Sequence, residues 1–261
     1  MKTASRWIIL PIIGQFQPSE IVKYIIILYT AKTLTDNQEK IKERDTFIKI
    51  LIPILVICAL IFPDNFSTAA LIFLVCFIMM FVGRVSTKYC TLLVLIAVGG
   101  LLLMFLIFNN NTKLIERSQT WNNRIEEYQN NDKTEINQTN LALMAISTGG
   151  LSGKFIGNTV QARFLSESHN DFIFAIMLEE GGIWLCLIII ILYLILIYRT
   201  IRISKNAKEQ FGSLTSIGIA LMFTLQAIVN MMVATNIIPV TGQTLPFISY
   251  GGTSFVFSSY A

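Results

Sequence analysis

Residues Ser168–Arg199 read SHNDFIFAIMLEEGGIWLCLIIIILYLILIYR, and within them Phe172–Tyr198 is an apolar run of 27 residues interrupted by only two charges, Glu179 and Glu180. A helix needs roughly 20 apolar residues to cross about 30 Å of hydrocarbon, so this run is long enough to span a bilayer. The whole chain has the same character. It is 54% hydrophobic and 14% charged over 261 residues, with a mean hydropathy of +0.63, whereas soluble domains carry about 25% charged residues. Further apolar blocks fall at Ile21–Leu34, Phe47–Phe62, Thr68–Gly83, Cys90–Phe108 and Leu214–Thr235, and another starts at Thr253 and stops at Ala261. The fold class is therefore an all-α polytopic membrane bundle, with about six full membrane helices plus one cut short, forming a single membrane domain over residues 1–261. The segment 109–170 is its large external loop.

The net charge of +4 does not point to nucleic acid, because the basic residues are scattered through short connections and form no continuous face. They report topology instead. Lys32, Lys40, Lys42, Arg44 and Lys49 cluster in one connection, Arg84 and Lys88 in another, and Arg199, Arg202, Lys205 and Lys208 in a third. Short basic connections stay cytoplasmic. The stretches 63–67 and 236–252 contain no Lys or Arg and face outward, and 109–170 falls on their side. The start of the chain is then external without a cleavable signal, which implies membrane helices upstream. Cys58, Cys76 and Cys186 lie inside apolar runs and Cys90 at the edge of one, with no CxxC pair, so they read as packing residues.

Three outward elements carry chemistry. Glu167 and Asp171 stand at the outer mouth of the 172–198 helix, while Glu179 lies eight residues further in, about 12 Å deeper. Helical spacing places Asp171 and Glu179 on one side of a shared crevice. Ionisable groups inside a membrane are costly and usually serve a function, although Glu179 and Glu180 can equally be read as paired with Lys or Arg on a neighbouring helix. In FQPSEIVKYI, Pro18 and Ser19 start a helix, and Glu20 and Lys23 are i, i+3 neighbours able to pair. A cap with a snorkelling lysine explains the same spacing. The stretch PVTGQTLPFISYGGTS, 239–254, combines two prolines, three glycines and no charge. Such irregular backbone at membrane depth must be buried in protein or line a cavity.

These stretches resemble the shape, elongation, division and sporulation family of bacterial membrane proteins, which includes FtsW, RodA and SpoVE. The resemblance rests on RWIILPIIGQFQPSEIVKY, FPDNFSTA, AISTGGLSGKFIGNTVQARFLSESHNDFIFAIMLEEGG and NIIPVTGQTLPFISYGGTS, in that order along nearly the whole chain. The texture of RSQTWNNRIEEY and GRVSTKY is closer to division-type FtsW of the Bacteroidetes than to RodA. One departure is Leu165-Ser166-Glu167 where the family commonly has Leu-Pro-Glu, which loosens that turn without removing the acid. The resemblance implies a ten-helix fold of which this chain lacks about three N-terminal helices and most of the last.

It also implies an activity: a peptidoglycan glycosyltransferase that polymerises lipid II outside the bacterial cytoplasmic membrane, with a class B penicillin-binding transpeptidase and other division proteins as partners. The family's essential aspartate corresponds to Asp171, and its PSE..K acid and lysine to Glu20 and Lys23. Glycosyl transfer needs a base for the acceptor hydroxyl and positive charge or donors for the leaving diphosphate. Asp171 fits the first task. Glu20, Lys23, Arg163, Glu167, His169, Thr241 and Ser249 form the expected substrate-binding set. No metal ligands are assigned, and a divalent cation, Mg or Mn, is the one cofactor the chemistry would accept. Two other readings compete, a lipid II flippase and a non-catalytic division scaffold. Motifs confined to outward segments, with no inverted-repeat copy, count against a carrier.

Overall fold

The computed structural model describes residues 8–10, 14–62, 65–96, 99, 138–165, 170–249 and 259. It is helical apart from one small hairpin, in which β1 (Ile8–Leu10) pairs antiparallel with β2 (Gly14–Phe16), Ile9 opposite Gln15. The hairpin leads into α1 (Pro18–Asp36), where Pro18 occupies the first turn and contributes a preset φ where no amide donor is needed. Along α1 the hydroxyls of Thr30, Thr33 and Thr35 each donate to the carbonyl four residues back, at 2.7–2.8 Å. That satisfies them inside an apolar helix. The chain continues through α2 (Arg44–Ile61), α3 (Phe66–Val82) and α4 (Thr87–Ile96). The side chain of Asn65 caps α3 by accepting from Thr68 N at 3.1 Å.

Helices α1, α2 and α3, with the first half of α7 (Gln210–Ala234), enclose one core built on Ile26, Ile27, Ile50, Val75, Met79 and Met222. Gly218 of α7 makes this packing close: a Cβ there would lie 2.6 Å from both Ile27 and Met79. Small residues at such crossings are how membrane helices approach. A second core forms where α5 (Gln138–Gly149), α6 (Ile173–Asn206) and the end of α7 meet, on Ala142, Ala145, Phe172, Ala175, Ala234 and Leu245. Tyr193 of α6 donates to Pro246 O at 2.6 Å and closes this core over the 241–249 segment.

Among the described residues, α6 and α7 are long and apolar enough to cross a membrane. Helix α6 exposes Trp184, Ile188, Ile191, Leu192, Leu194 and Tyr198, a surface that suits lipid and not water. Helices α1, α2 and α3 have 19, 18 and 17 residues, and at 1.5 Å each they extend about 26–29 Å. For the fourth apolar block, 90–108, the described residues supply α4, while 97, 98 and 100–108 lie outside them.

The segment 109–170, expected as a large external loop, holds more structure than a loop. Residues 109–137 and 166–169 lie outside the described part, but α5 packs on α6, and the segment that follows α5 bonds back to α6 at Glu179–Ile183. The return depends on Gly182, which sits at φ 62°, ψ −163° within α6. This break frees the carbonyls of Glu179 and Glu180, which accept from Lys154 N and Phe155 N at 2.9 Å each, and it frees Ile183 N, which donates to Gly150 O at 3.2 Å. Backbone groups freed inside an apolar environment must be paired again. The returning segment does that.

Candidate functional site at the Asp171 end of the bundle

The two ends of the bundle differ in chemistry. One gathers the basic connections: Gln38 Nε2 donates to Gly83 O at 3.3 Å, and Ser204 and Ser213 hydroxyls meet at 2.6 Å. At the other end, the starts of α1, α3 and α6, the last turns of α7 and the 241–249 segment share a hydrogen-bond network.

Its first strand begins at α1. Lys23 is 1% exposed, and its Nζ lies 2.6 Å from Glu20 Oε2 and 3.4 Å from Gln226 Oε1. The ammonium also stands 5.3 Å from the centre of the Tyr24 ring. The lysine turns inward and does not snorkel. Its charge is neutralised by a partly buried carboxylate, which is how an ammonium can be kept at this depth. Gln226 in turn donates through Nε2 to Thr244 O at 3.0 Å and to Thr244 Oγ1 at 3.3 Å. The pair on α1 is thereby joined to the 241–249 segment.

One helical turn further along α7, Asn230 makes the second strand. Its Nδ2 donates to Asp171 O at 3.0 Å and to Gln243 O at 2.7 Å. Gln243 then reaches across to α3, donating to Thr68 Oγ1 at 2.8 Å. Asn230 is fully buried, yet its Oδ1 accepts no hydrogen bond among the described residues. Leaving a buried acceptor unmade costs about 1–3 kcal/mol.

Asp171 occupies the turn just before α6, whose N-cap is Phe172. A Cβ added to Gly242, at φ +71°, would lie 3.8 Å from Asp171 Oδ2, so the carboxylate faces the uncharged 241–249 segment. That position also lies in the positive field of the α6 N-terminus. Glu179 does not share its crevice. Because Asp171 precedes the helix, helical spacing does not relate the two, and Glu179 turns to the returning segment instead. It is 0% exposed, bonds Lys154 Nζ at 2.7 Å, and accepts from Val160 N at 3.2 Å and Gln161 N at 3.3 Å. Its cationic partner comes from that segment, not from a neighbouring helix. Glu180 accepts from Gly157 N at 3.0 Å. Both glutamates clamp backbone.

The other expected residues divide. Ser249 Oγ donates to Asn170 O at 3.0 Å and accepts from Leu245 N at 2.7 Å, so its hydroxyl braces the turn at Asp171. Thr241 Oγ1 is buried and has no partner among the described residues. Arg163 is exposed on a 3-10 turn, Gln161–Arg163, at the end of the returning segment. Glu167 and His169 lie outside the described residues. No three His, Cys, Asp or Glu side chains come together among the described residues, so these do not themselves form a protein cage for Mg or Mn. Gln226, Asn230, Gln243 and Thr68 were not anticipated. The available signal was two amides four residues apart in the otherwise apolar stretch of α7.

Comparison with known proteins places this arrangement. A protein of Geobacter sp. (strain M18) named probable peptidoglycan glycosyltransferase FtsW is 34% identical over 261 residues, 98% of this chain and 69% of its own length. The protein of the same name from Bacillus subtilis (strain 168) is 35% identical over 250 residues, 92% of this chain and 61% of its own. A solved structure, "Structural coordination of polymerization and crosslinking by a peptidoglycan synthase complex", matches with a TM-score of 0.74 at 25% identity, covering 99% of this chain and 70% of the matched one. The Thermus thermophilus rod shape determining protein RodA shares the fold, with a TM-score of 0.63 at 23% identity over 99% of this chain and 66% of its own. The model of the FtsW, RodA and SpoVE family, described as cell cycle protein, matches residues 1–261. This chain belongs to the FtsW, RodA and SpoVE family of cell cycle proteins, multi-pass membrane proteins built of helices.

Proposed function

We propose that this chain is a peptidoglycan glycosyltransferase that polymerises lipid II at the outer face of the bacterial cytoplasmic membrane during division, working with a class B penicillin-binding transpeptidase. The observation that carries the reading is the Asp171 carboxylate set against Gly242, at the end of the bundle opposite the basic α1–α2, α3–α4 and α6–α7 connections, where a lipid-linked sugar can enter from the outer leaflet. The names of the relatives support the reaction class.

In this reading Asp171 takes the proton from the acceptor sugar hydroxyl as its oxygen bonds to the anomeric carbon of the donor. The bond from that carbon to the diphosphate breaks, and lipid diphosphate leaves. Lys23, held by Glu20 and Gln226, supplies a fixed internal cation and not a mobile one. Arg163 is the exposed cation closest in sequence to Asp171 and is the better candidate to meet the leaving diphosphate. Glu167 and His169, between Arg163 and Asp171, complete the donor side. Thr241 would meet sugar or headgroup once its buried hydroxyl turns outward, while Ser249 acts through the turn it braces. A divalent cation bound with the diphosphate would add charge stabilisation.

The reading is tested by supplying labelled lipid II to the protein reconstituted with its transpeptidase partner while a β-lactam blocks cross-linking. Linear, uncross-linked glycan should accumulate. If lipid II stays monomeric although the partner is bound, the assignment fails.

A further inference from the structure

Resting on that reading, we infer that Asn230 is a positioning residue for the transfer step: it holds the turn that carries Asp171 against the segment that faces the carboxylate. The argument begins with where an amide has been placed. Asn230 lies at the α7 position that touches both Asp171 and Gln243, is fully buried, and sits in a helix apolar enough to span a membrane. A polar group in a membrane helix is costly unless its hydrogen bonds are made, and those of Asn230 are made to the turn of Asp171 and to Gln243. Among the described residues Oδ1 has no partner, whereas both Nδ2 hydrogens are placed.

Those two donors have specific targets. One goes to the main-chain carbonyl of Asp171 and the other to that of Gln243, the residue next to Gly242. The carboxylate and the wall it faces are therefore fixed to one nitrogen atom. Gln243 is tied onward to Thr68 on α3, and Gln226, one turn back on α7, ties Thr244 to Lys23. The Gln226 and Asn230 stripe thus holds the adjacent residues Thr244 and Gln243 in register with the ion pair and the acid. A reacting group displaced by about 1 Å can lose about 10²-fold in rate without losing its binding partners.

The test uses the reconstituted protein with its transpeptidase partner and lipid II as substrate. Asn230→Leu is nearly isosteric and inserts at least as readily in a membrane helix, and Asn230→Ala provides a second variant. Both should lower kcat of the folded protein by about 10- to 100-fold while KM for lipid II moves less than about threefold, and the two carbonyls left without their donor should lower the melting temperature in detergent. Tyr193→Phe is the control: it removes the bond to Pro246 O on the far side of the same segment, and it should leave kcat within about threefold. Equal kcat losses in Tyr193→Phe and Asn230→Leu would make the effect one of general packing and overturn the inference, as would unchanged kcat in both Asn230 variants. Asp171→Asn is run alongside. If it turns over at the parent's rate, the base assignment falls and the positioning role falls with it; if it is inactive while the Asn230 variants are not, only the positioning role is lost.

Discussion

Gly182→Ala should detach the returning segment 150–165 from α6. The backbone at Gly182, φ 62° and ψ −163°, lies in a region essentially restricted to glycine, where any other residue costs on the order of 1–3 kcal/mol. Space is the second obstacle. A Cβ would come 2.4 Å from Leu151 O and 2.6 Å from Gly153 N, both backbone atoms that cannot rotate aside. Relieving the clash means moving the segment and giving up Ile183 N to Gly150 O, then the pairs at Glu179 and Glu180. We expect a loss of about 3 kcal/mol or more, read as a melting temperature lower by about 6–12 °C and as new proteolysis beside Lys154. Gly212→Ala, where a Cβ meets nothing within 4 Å and φ is ordinary, should change neither. Unaltered proteolysis in Gly182→Ala would show that the kink does not hold the segment.

The larger effect on activity is expected at Asp171. Asp171→Asn preserves shape and removes the base, a change that typically costs about 10²- to 10⁴-fold in rate. The main-chain carbonyl that Asn230 holds is untouched by this substitution, so the turn, membrane insertion and partner binding should survive. Glu179→Gln provides the contrast. Glu179 pairs with Lys154 and two backbone amides, away from Gly242, and its loss should lower stability more than it lowers kcat in the protein that remains folded. If Asp171→Asn polymerised at near the parent's rate while Glu167→Gln did not, the base would be Glu167.

Much of this was legible in the sequence. The apolar blocks marked the helices because a membrane span has a minimum length, and the absence of Lys and Arg from 63–67 and 236–252 marked the end where Asp171, Thr68 and the 241–249 segment meet. The i, i+3 spacing of Glu20 and Lys23 allowed their contact but fitted a cap with a snorkelling lysine as well, and only the packing against Gln226 turns the lysine inward. Helix α5 was missed because QTNLALMAISTG is short and only moderately apolar, and its stability comes from packing Ala142 and Ala145 on α6. The break at Gly182 was missed because a Gly-Gly pair in a hydrophobic run can remain helical; only the approach of Leu151 and Gly153 decides otherwise. Gln226 and Asn230 were passed over in favour of charges, although an uncharged amide in an apolar helix is just as unusual and needs a partner as much.

Polymerisation and transport separate most directly in proteoliposomes carrying the protein, its transpeptidase partner and fluorescent lipid II, with glycan length and the leaflet of the remaining lipid II followed in the same sample. Lipid II in the leaflet next to the Asp171 end should be converted to long glycan, with no exchange between leaflets beyond that of protein-free vesicles. Movement of lipid II between leaflets without any growth of glycan would contradict the account.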